Sequence, residues 1–172
     1  MINVTSFPLV RQNTQDNCIP ATIESIVNYH KGLTRPTWSD QTNLRQRLID
    51  EAGNISFPIV ASVMNVAQSD VRFEVEDFGD KSDGDWVKRV DDLVNLDELP
   101  VAFASVPANP TRIHIRAILG FDGNKFTVFD PGPGTIEEIE KQQMIDDLNR
   151  TGADPFGNNV GKCRDILIVN TL

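Results

Sequence analysis

Cys18 is the first residue whose type and position invite chemistry. It follows the polar stretch RQNTQDN and opens a segment where Ile19, Ile23, Ile26 and Val27 recur at three- and four-residue steps. That is the apolar spacing of a helix. A cysteine at a helix N-terminus meets unpaired backbone N–H groups and the positive end of the helix dipole, and both favour the nucleophilic thiolate. A buried cysteine serving as a small hydrophobe fits the same position equally well.

A thiolate needs a base. The chain has two histidines. His30 falls at the expected end of the helix that Cys18 opens, where a cation is favourable and no catalysis is implied. His114 lies in the strand-like run TRIHIRAILG. Alternation puts Ile113, Ile115, Ala117 and Leu119 on one face and His114, Arg116 and Ile118 on the other. Taken alone, His114 is a histidine on a polar or half-buried sheet face.

Asp130 ends the strand-like FTVFD and precedes Pro131, which is ordinary turn chemistry. Between the two runs stands Asp122-Gly123-Asn124, a hairpin signal. A hairpin there brings His114 and Asp130 to the same open end. An acceptor at that point can hold one imidazole nitrogen and leave the other for a thiol, the generalised nucleophile–base–orienter arrangement. Gln12 stands six residues before Cys18. A side-chain amide just upstream of a nucleophile can donate to a developing oxyanion together with the Cys18 N–H. Each of the four residues has an ordinary structural reading alone; the set carries the weight.

The elements that must position these residues divide along the chain. Residues 2–10 read as a short strand or extended arm. The Cys18 helix has Asp16 or Asn17 as N-cap, Pro20 in its first turn and Gly32 as its stop. A second helix is expected from about Asp40 to Ala52, with Leu44, Leu48 and Ile49 inward. A third starts near Ser56, with Pro58 in its first turn and Ile59, Val63 and Val66 packed. Residues 71–78 alternate as a strand, Gly79 to Asp85 reads as a solvated loop, and a short helix runs from Trp86 to about Asn95. Residues 101–106, 113–120, 126–130 and 166–169 are strand-like. Pro131 to Gly134 is a forced turn, and Thr135 with Glu138 reads as a capping box for a last helix to about Arg150. The expectation is an α+β fold in one domain over residues 1–172. Its helical lobe spans about 16–70 and its antiparallel sheet lobe about 71–172, with a cleft between them.

Composition narrows the partners. The 172 residues are 40% hydrophobic and 24% charged, with 16 basic against 25 acidic side chains and a net charge of −9. That balance is repelled by phosphate backbones and anionic lipid, so neither nucleic acid nor a membrane surface is an expected partner. No apolar run approaches the ~20 residues of a membrane span, and no basic-then-apolar signal segment opens the chain. A cytoplasmic location is expected, with later export as an effector left open. Two cysteines make no disulfide framework, and no CxxC or His-rich tract suggests zinc. The adjacent pairs Asp91-Asp92 and Asp146-Asp147 do not converge on a helix. Glu137, Glu138 and Glu140 read as a solvated helix face, and Trp38 and Trp86 as packing or rim residues. Cys163, just before the last strand with no histidine or acid placed to activate it, reads as structural. No metal or cofactor is expected.

With these residues in hand, the chain resembles the papain-like cysteine peptidases. It is most similar to the bacteriocin-processing (double-glycine leader) peptidase family and its free-standing relatives. RQNTQDNCIPATIESIVNYHKG resembles the family's opening, with Gln six residues before Cys and then a helix. LPVAFASVPANPTRIHIRAILGFDGNKFTVFDPGPG resembles its second half, where His opens a strand and a later strand ends in Asp-Pro. NLRQRLIDEAGNISFPIVASVMNVA is similar to the paired helices between. The resemblance implies a papain-like fold with Cys18 as nucleophile, His114 as general base and acid, Asp130 orienting His114, and Gln12 completing the oxyanion hole. It implies a peptide or protein substrate.

Two positions depart from the family pattern. Asn17 stands where an acidic residue usually precedes the Cys, and Ile19 where Gly usually follows, so Ile19 is expected to narrow the site. The sequence carries no membrane spans of an exporter, so a double-glycine substrate is not strongly implied. The same thioester chemistry serves a deamidase or acyltransferase, including one used as a toxin or effector. A catalytically silent papain-like binding module is the competing class, and thiol reactivity separates it from an enzyme.

Overall fold

The computed structural model describes residues 2–14, 16–33, 44–46, 56–67, 70–109, 112–153, 159–160 and 164–172. The helix expected over 40–52 lies outside them except for residues 44–46, which are helical. Trp38 and Cys163 also lie outside.

Helix α1 runs Cys18–His30. It stops as its sequence requires: Gly32 takes φ +64°, and its N–H and that of Leu33 return to the carbonyls of Tyr29 and Asn28. This left-handed turn is one glycine reaches without steric cost. Asn17 is the N-cap residue, and its side chain makes no cap bond. Every residue from Cys18 to Asn28 is buried, so α1 is enclosed on all sides rather than on one apolar face. The N-terminal segment supplies part of that cover. It is not a strand: Val4–Ser6 form a 3₁₀ turn, Ile2, Phe7 and Val10 are buried, and the Val10 N–H donates to Ser25 Oγ at 3.1 Å.

Helix α2 spans Phe57–Ala67. Phe57, Val60, Ala61, Val63 and Met64 are buried, whereas Val66 is 87% exposed. The inward stripe is therefore rotated from the expected Ile59–Val63–Val66 set. The Asn65 side chain bonds both the N–H and the carbonyl of Phe73, docking α2 on the sheet's edge strand.

The six-stranded sheet is antiparallel throughout, in the order β1-β8-β2-β3-β4-β5. Its strands are β1 (Val71–Glu76), β2 (Val101–Ser105), β3 (His114–Phe121), β4 (Lys125–Asp130), β5 (Thr135–Glu140) and β8 (Ile166–Thr171). The short strands β6 (Gly152–Ala153) and β7 (Asn159–Val160) pair separately. Helix α3 (Asp83–Asp91) begins earlier than its apolar residues suggest and passes into a π turn at Asp92–Leu96. Ser82 and Asp85 bond each other's backbone N–H in a capping box, so most of the expected solvated loop is helix N-terminus. Helix α4 is Lys141–Asn149.

The segment after Pro131–Gly134 corrects the reading most. Thr135–Glu140 is strand β5, not the first turns of a helix, and Glu137, Glu138 and Glu140 lie on a strand. All six of its residues pair with β4, from Asp130↔Thr135 to Lys125↔Glu140. Lys125 Nζ lies 3.5 Å from Glu138 and 3.3 Å from Glu140. Pairing satisfies the open edge of β4, and that tertiary demand overrides local helix signals.

Both sheet faces are covered. By strand alternation, Phe103 and Phe126 share one face, and Trp86 of α3 packs edge-on to both at about 6 Å. Trp86 is fully buried, in line with a packing role. On the other face Phe7 meets Phe129 at 5.5 Å, and α1 leans on β3 through Thr22 Oγ1, which donates to the Ile115 carbonyl at 3.3 Å. The core lies in these two layers, with Ile23, Ile26, Val60, Met64, Leu93, Ile118 and Leu119 among its buried members. Fully burying one such side chain is worth about 1.5–3 kcal/mol relative to exposure.

Candidate active site

Four chain segments meet at the open end of the β3–β4 hairpin. The hairpin closes as its turn residues require: Gly123 takes φ +99° and Asp122 Oδ1 accepts from the N–H groups of Asn124 and Lys125. Six residues of β4 then carry the chain back, so Asp130 ends one step past the Ala117–Phe129 pair, within three residues of the start of β3. His114 is the first residue of β3. Cys18 is the first residue of α1, and α1 is fixed to β3 one turn later by the Thr22–Ile115 bond. Gln12 is tied to the turn after Asp130, its N–H donating to the Pro131 carbonyl at 2.8 Å.

These four residues line one cleft of about 400 Å³. His114 Nε2 lies 2.7 Å from Asp130 Oδ1. The same oxygen accepts the Gly132 N–H at 2.7 Å. The Cys18 side chain hydrogen-bonds the imidazole, and with Nε2 engaged by Asp130 the ring nitrogen left for sulfur is Nδ1. Cys18 is 7% exposed. A side chain at position 132 would press on this arrangement, since a Cβ there would stand 3.0 Å from Asp130 Oδ1 and 3.9 Å from His114 Nε2.

The electrostatics follow from the contacts. Burial opposes a charge on His114, but its hydrogen bonds to Asp130 and Cys18, and its Coulombic interactions with them, outweigh that and raise its pKa from 6.5 to about 9. Asp130 is also desolvated, which favours its neutral form. The bond and charge of His114, the Gly132 N–H and the charge of Arg116 reverse that and hold it below the usual carboxylate value. The pair is thus an imidazolium beside a carboxylate at neutral pH.

Gln12 is placed beside the nucleophile in a resting arrangement. Its Nε2 donates to the Thr14 carbonyl at 3.0 Å, and its buried Oε1 accepts no hydrogen bond. One of the two amide hydrogens is committed to Thr14, and a side-chain amide carries a second donor that can serve an incoming oxygen. Ile19, expected to narrow the site, is buried in the core cluster and is not among the residues that line the cleft. Among the described residues there is no group of three or more His, Cys, Asp or Glu side chains that could hold a metal ion.

The rest of the cleft wall carries charges the sequence did not single out. Arg112 pairs with Asp16 at 2.6 Å at the rim. Deeper in, Arg116 and Asp147 are both buried, with Nη2 of the arginine 3.6 Å from Asp147 Oδ2 and Nη1 3.1 Å from Glu137 Oε1. Arg116 was placed on the His114 face by alternation, but its partners on β5 and α4 carry no local signal of the pairing.

Residues 4–154 match the Peptidase_C39 like family. No curated protein sequence matches this one. Among solved structures, the chain is similar to the peptidase domain of Streptococcus ComA, described as a bi-functional ABC transporter involved in a quorum sensing pathway. That similarity has a TM-score of 0.60 at 17% identity and covers 96% of this chain and 99% of that one. It is also similar to a double glycine motif protease from an AMS/PCAT transporter, solved in complex with the leader peptide. There the TM-score is 0.57 at 14% identity, covering 96% of this chain and 91% of that one. The mixed helix and antiparallel-sheet architecture is therefore that of the papain-like peptidase domains. No helix among the described residues is long and apolar enough to cross a membrane.

Proposed function

Because this chain belongs to the Peptidase_C39 like family, and is by family and fold a papain-like cysteine peptidase, we propose that it cleaves a peptide bond with Cys18, His114, Asp130 and Gln12. The observation that carries this reading is the meeting of Cys18, His114, Asp130 and Gln12 in one cleft, with Asp130 Oδ1 2.7 Å from His114 Nε2.

The Cys18 Sγ, as thiolate, attacks the carbonyl carbon of the scissile bond, and the carbonyl oxygen takes up the negative charge. We assign the oxyanion to the Cys18 N–H, at the first position of α1, where helix N–H groups lack intrahelical partners, together with the Gln12 side-chain amide. The tetrahedral species collapses with cleavage of the C–N bond, and the His114 imidazolium gives its proton to the departing amine. Water then attacks the thioester. His114 accepts a proton from the water, the C–S bond breaks, the acid leaves and the thiolate returns beside the imidazolium. Asp130 keeps the ring in one orientation and stabilises its charge throughout. The second similar structure is a protease holding a leader peptide. By extension, the substrate here is an extended peptide segment lying in the cleft between α1 and the β3–β4 end.

The test is cleavage of a peptide library by wild type and Cys18→Ala, read by mass spectrometry, with the melting temperature measured alongside. Cys18→Ala is expected to keep its fold and lose all cleavage. A variant that still cuts the same bonds at the wild-type rate would remove Cys18 from the reaction.

A further inference from the structure

We propose that Arg116 is a positioning residue for the His114–Asp130 pair: its buried guanidinium, from a residue level with Asp130 on the β3–β4 hairpin, is the fixed cation that anchors the Asp130 carboxylate from behind. The inference rests on the reading of Cys18 and His114 as the reacting pair.

The strand register places it. Ala117 is opposite Phe129 and Ile118 opposite Val128; continuing that register past its last pair brings Arg116 to the level of Asp130, and both line the same cleft. His114 lies two residues earlier on the same strand face, diagonal to Asp130. Arg116 is only 4% exposed, and its guanidinium is held from three sides. Nη2 donates to Ser105 Oγ at 2.8 Å, Nη1 to Glu137 Oε1 at 3.1 Å, and the plane lies over the Phe103 ring at 5.3 Å. Asp147 adds a buried carboxylate 3.6 Å away and is itself paired with Arg150 at 2.8 Å.

A buried arginine this constrained cannot swing away, which is what a positioning charge needs. Its sign also suits the site. Asp130 is desolvated, and without a second cation its carboxylate would depend on His114 alone for charge balance. The charge of Arg116 contributes to keeping Asp130 ionised. Arg116 does not in turn repel the imidazolium strongly, because Glu137 and Asp147 face it from β5 and α4 and offset its more distant field. The groups that set the charge of His114 are then Asp130 and Cys18, with Arg116 acting through Asp130.

The test is the rate of Cys18 alkylation by iodoacetamide at pH 6 and pH 9.5, with Cys163 replaced by Ser so that one thiol reports. Arg116→Gln is expected to alkylate about tenfold more slowly at pH 6, the effect of one pKa unit. At pH 9.5, where a thiol of ordinary pKa near 8.5 is already ionised, it should match wild type. Arg116→Lys keeps the charge and should recover most of the pH 6 rate. A folded Arg116→Gln with the wild-type profile, or one slowed equally at both pH values, would overturn the proposal, since a merely structural role predicts no pH selectivity. Should Arg116→Gln fail to fold, Ser105→Ala frees one guanidinium nitrogen and is expected to give a smaller loss confined to pH 6; no such loss would overturn the proposal equally. His114→Ala separates the two levels: if it leaves the pH 6 rate of the parent unchanged, the Cys18–His114 reading itself fails and Arg116 has no pair to position.

Discussion

The backbone N–H of Gln12 donates to the carbonyl of Pro131 at 2.8 Å, joining the segment that leads into Cys18 to the turn that follows Asp130. Arg11 reinforces the joint, its Nε donating to the Gly132 carbonyl at 3.3 Å. The two halves of the candidate site are thus held together by backbone, beside the side-chain contact between Cys18 and His114. Gly134 is fitted to this joint. Its φ is +73°, and a Cβ there would stand 3.0 Å from the Arg11 Cβ. Gly134→Ala should therefore destabilise the fold by about 1–2 kcal/mol from the left-handed backbone alone, with a further cost from the contact. Gly32→Ala is the control, since φ there is +64° with open space around the Cβ. Denaturant melts of both, with Cys18 alkylation rates at pH 6, should show loss of thiol reactivity only for Gly134→Ala.

Gln12→Ala should lower kcat about 10²–10³-fold, the effect of deleting one oxyanion donor, with little change in melting temperature. Among the described residues the resting amide bonds the Thr14 carbonyl of its own loop, so folding loses little. The readout is steady-state cleavage of a library-derived peptide beside the Cys18 alkylation profile. Alkylation passes through no oxyanion, so it should stay near wild type while cleavage falls. A parallel loss of both would place Gln12 in the scaffold instead.

Thr22→Val keeps the shape of the side chain and removes one hydrogen bond. Thr22 stands one helical turn after Cys18 and bonds the carbonyl of the residue after His114. It is fully buried. The substitution should cost about 1 kcal/mol, the net worth of a buried hydrogen bond, and slow alkylation at pH 6 by letting α1 shift against β3. Chemical denaturation and the alkylation rate check the two effects independently.

What could be read from the chain depended on where each residue's neighbours lie. Cys18, His114 and Asp130 each stand at the end of an element whose boundary has a local signal: a polar run before α1, and the Asp122-Gly123-Asn124 turn that fixes how far β3 and β4 run back. A hairpin of known turn brings its two ends together by geometry, so the 2.7 Å contact between His114 and Asp130 follows from short-range chemistry. Strand β5 differs from its local signal for the opposite reason. Thr135 and Glu138 have the spacing of a helix cap, and only the unpaired edge of β4 turns the segment into a strand. The inward face of α2 is rotated, leaving Val66 87% exposed, because which face is covered depends on β1 and not on the helix. The Arg116–Glu137–Asp147 cluster draws on β3, β5 and α4, and no periodicity in one element reveals it.

The imidazole's contacts set a pH window for stability as well as for chemistry. The His114 pKa is raised from 6.5 to about 9, so the folded state binds its proton more tightly than the unfolded chain does. The stabilisation is fully present below about 6.5 and is lost as pH rises through about 9. Asp130, held below its ordinary value, works in the other direction: its contribution is present above the usual carboxylate range and lost as pH falls through the lowered value. Guanidinium melts at pH 6 and pH 9.5 should therefore show wild type losing about 1–3 kcal/mol more than His114→Gln over that interval. Asp130→Asn should shrink the difference, because it removes the first of the contacts that raise the histidine. Cys18→Ala should shrink it by a separate amount, since the hydrogen bond to Cys18 and the Coulombic interaction with it also raise His114. If Cys18→Ala leaves the interval unchanged while Asp130→Asn abolishes it, the imidazolium answers to the carboxylate alone and the thiol is not its ionic partner.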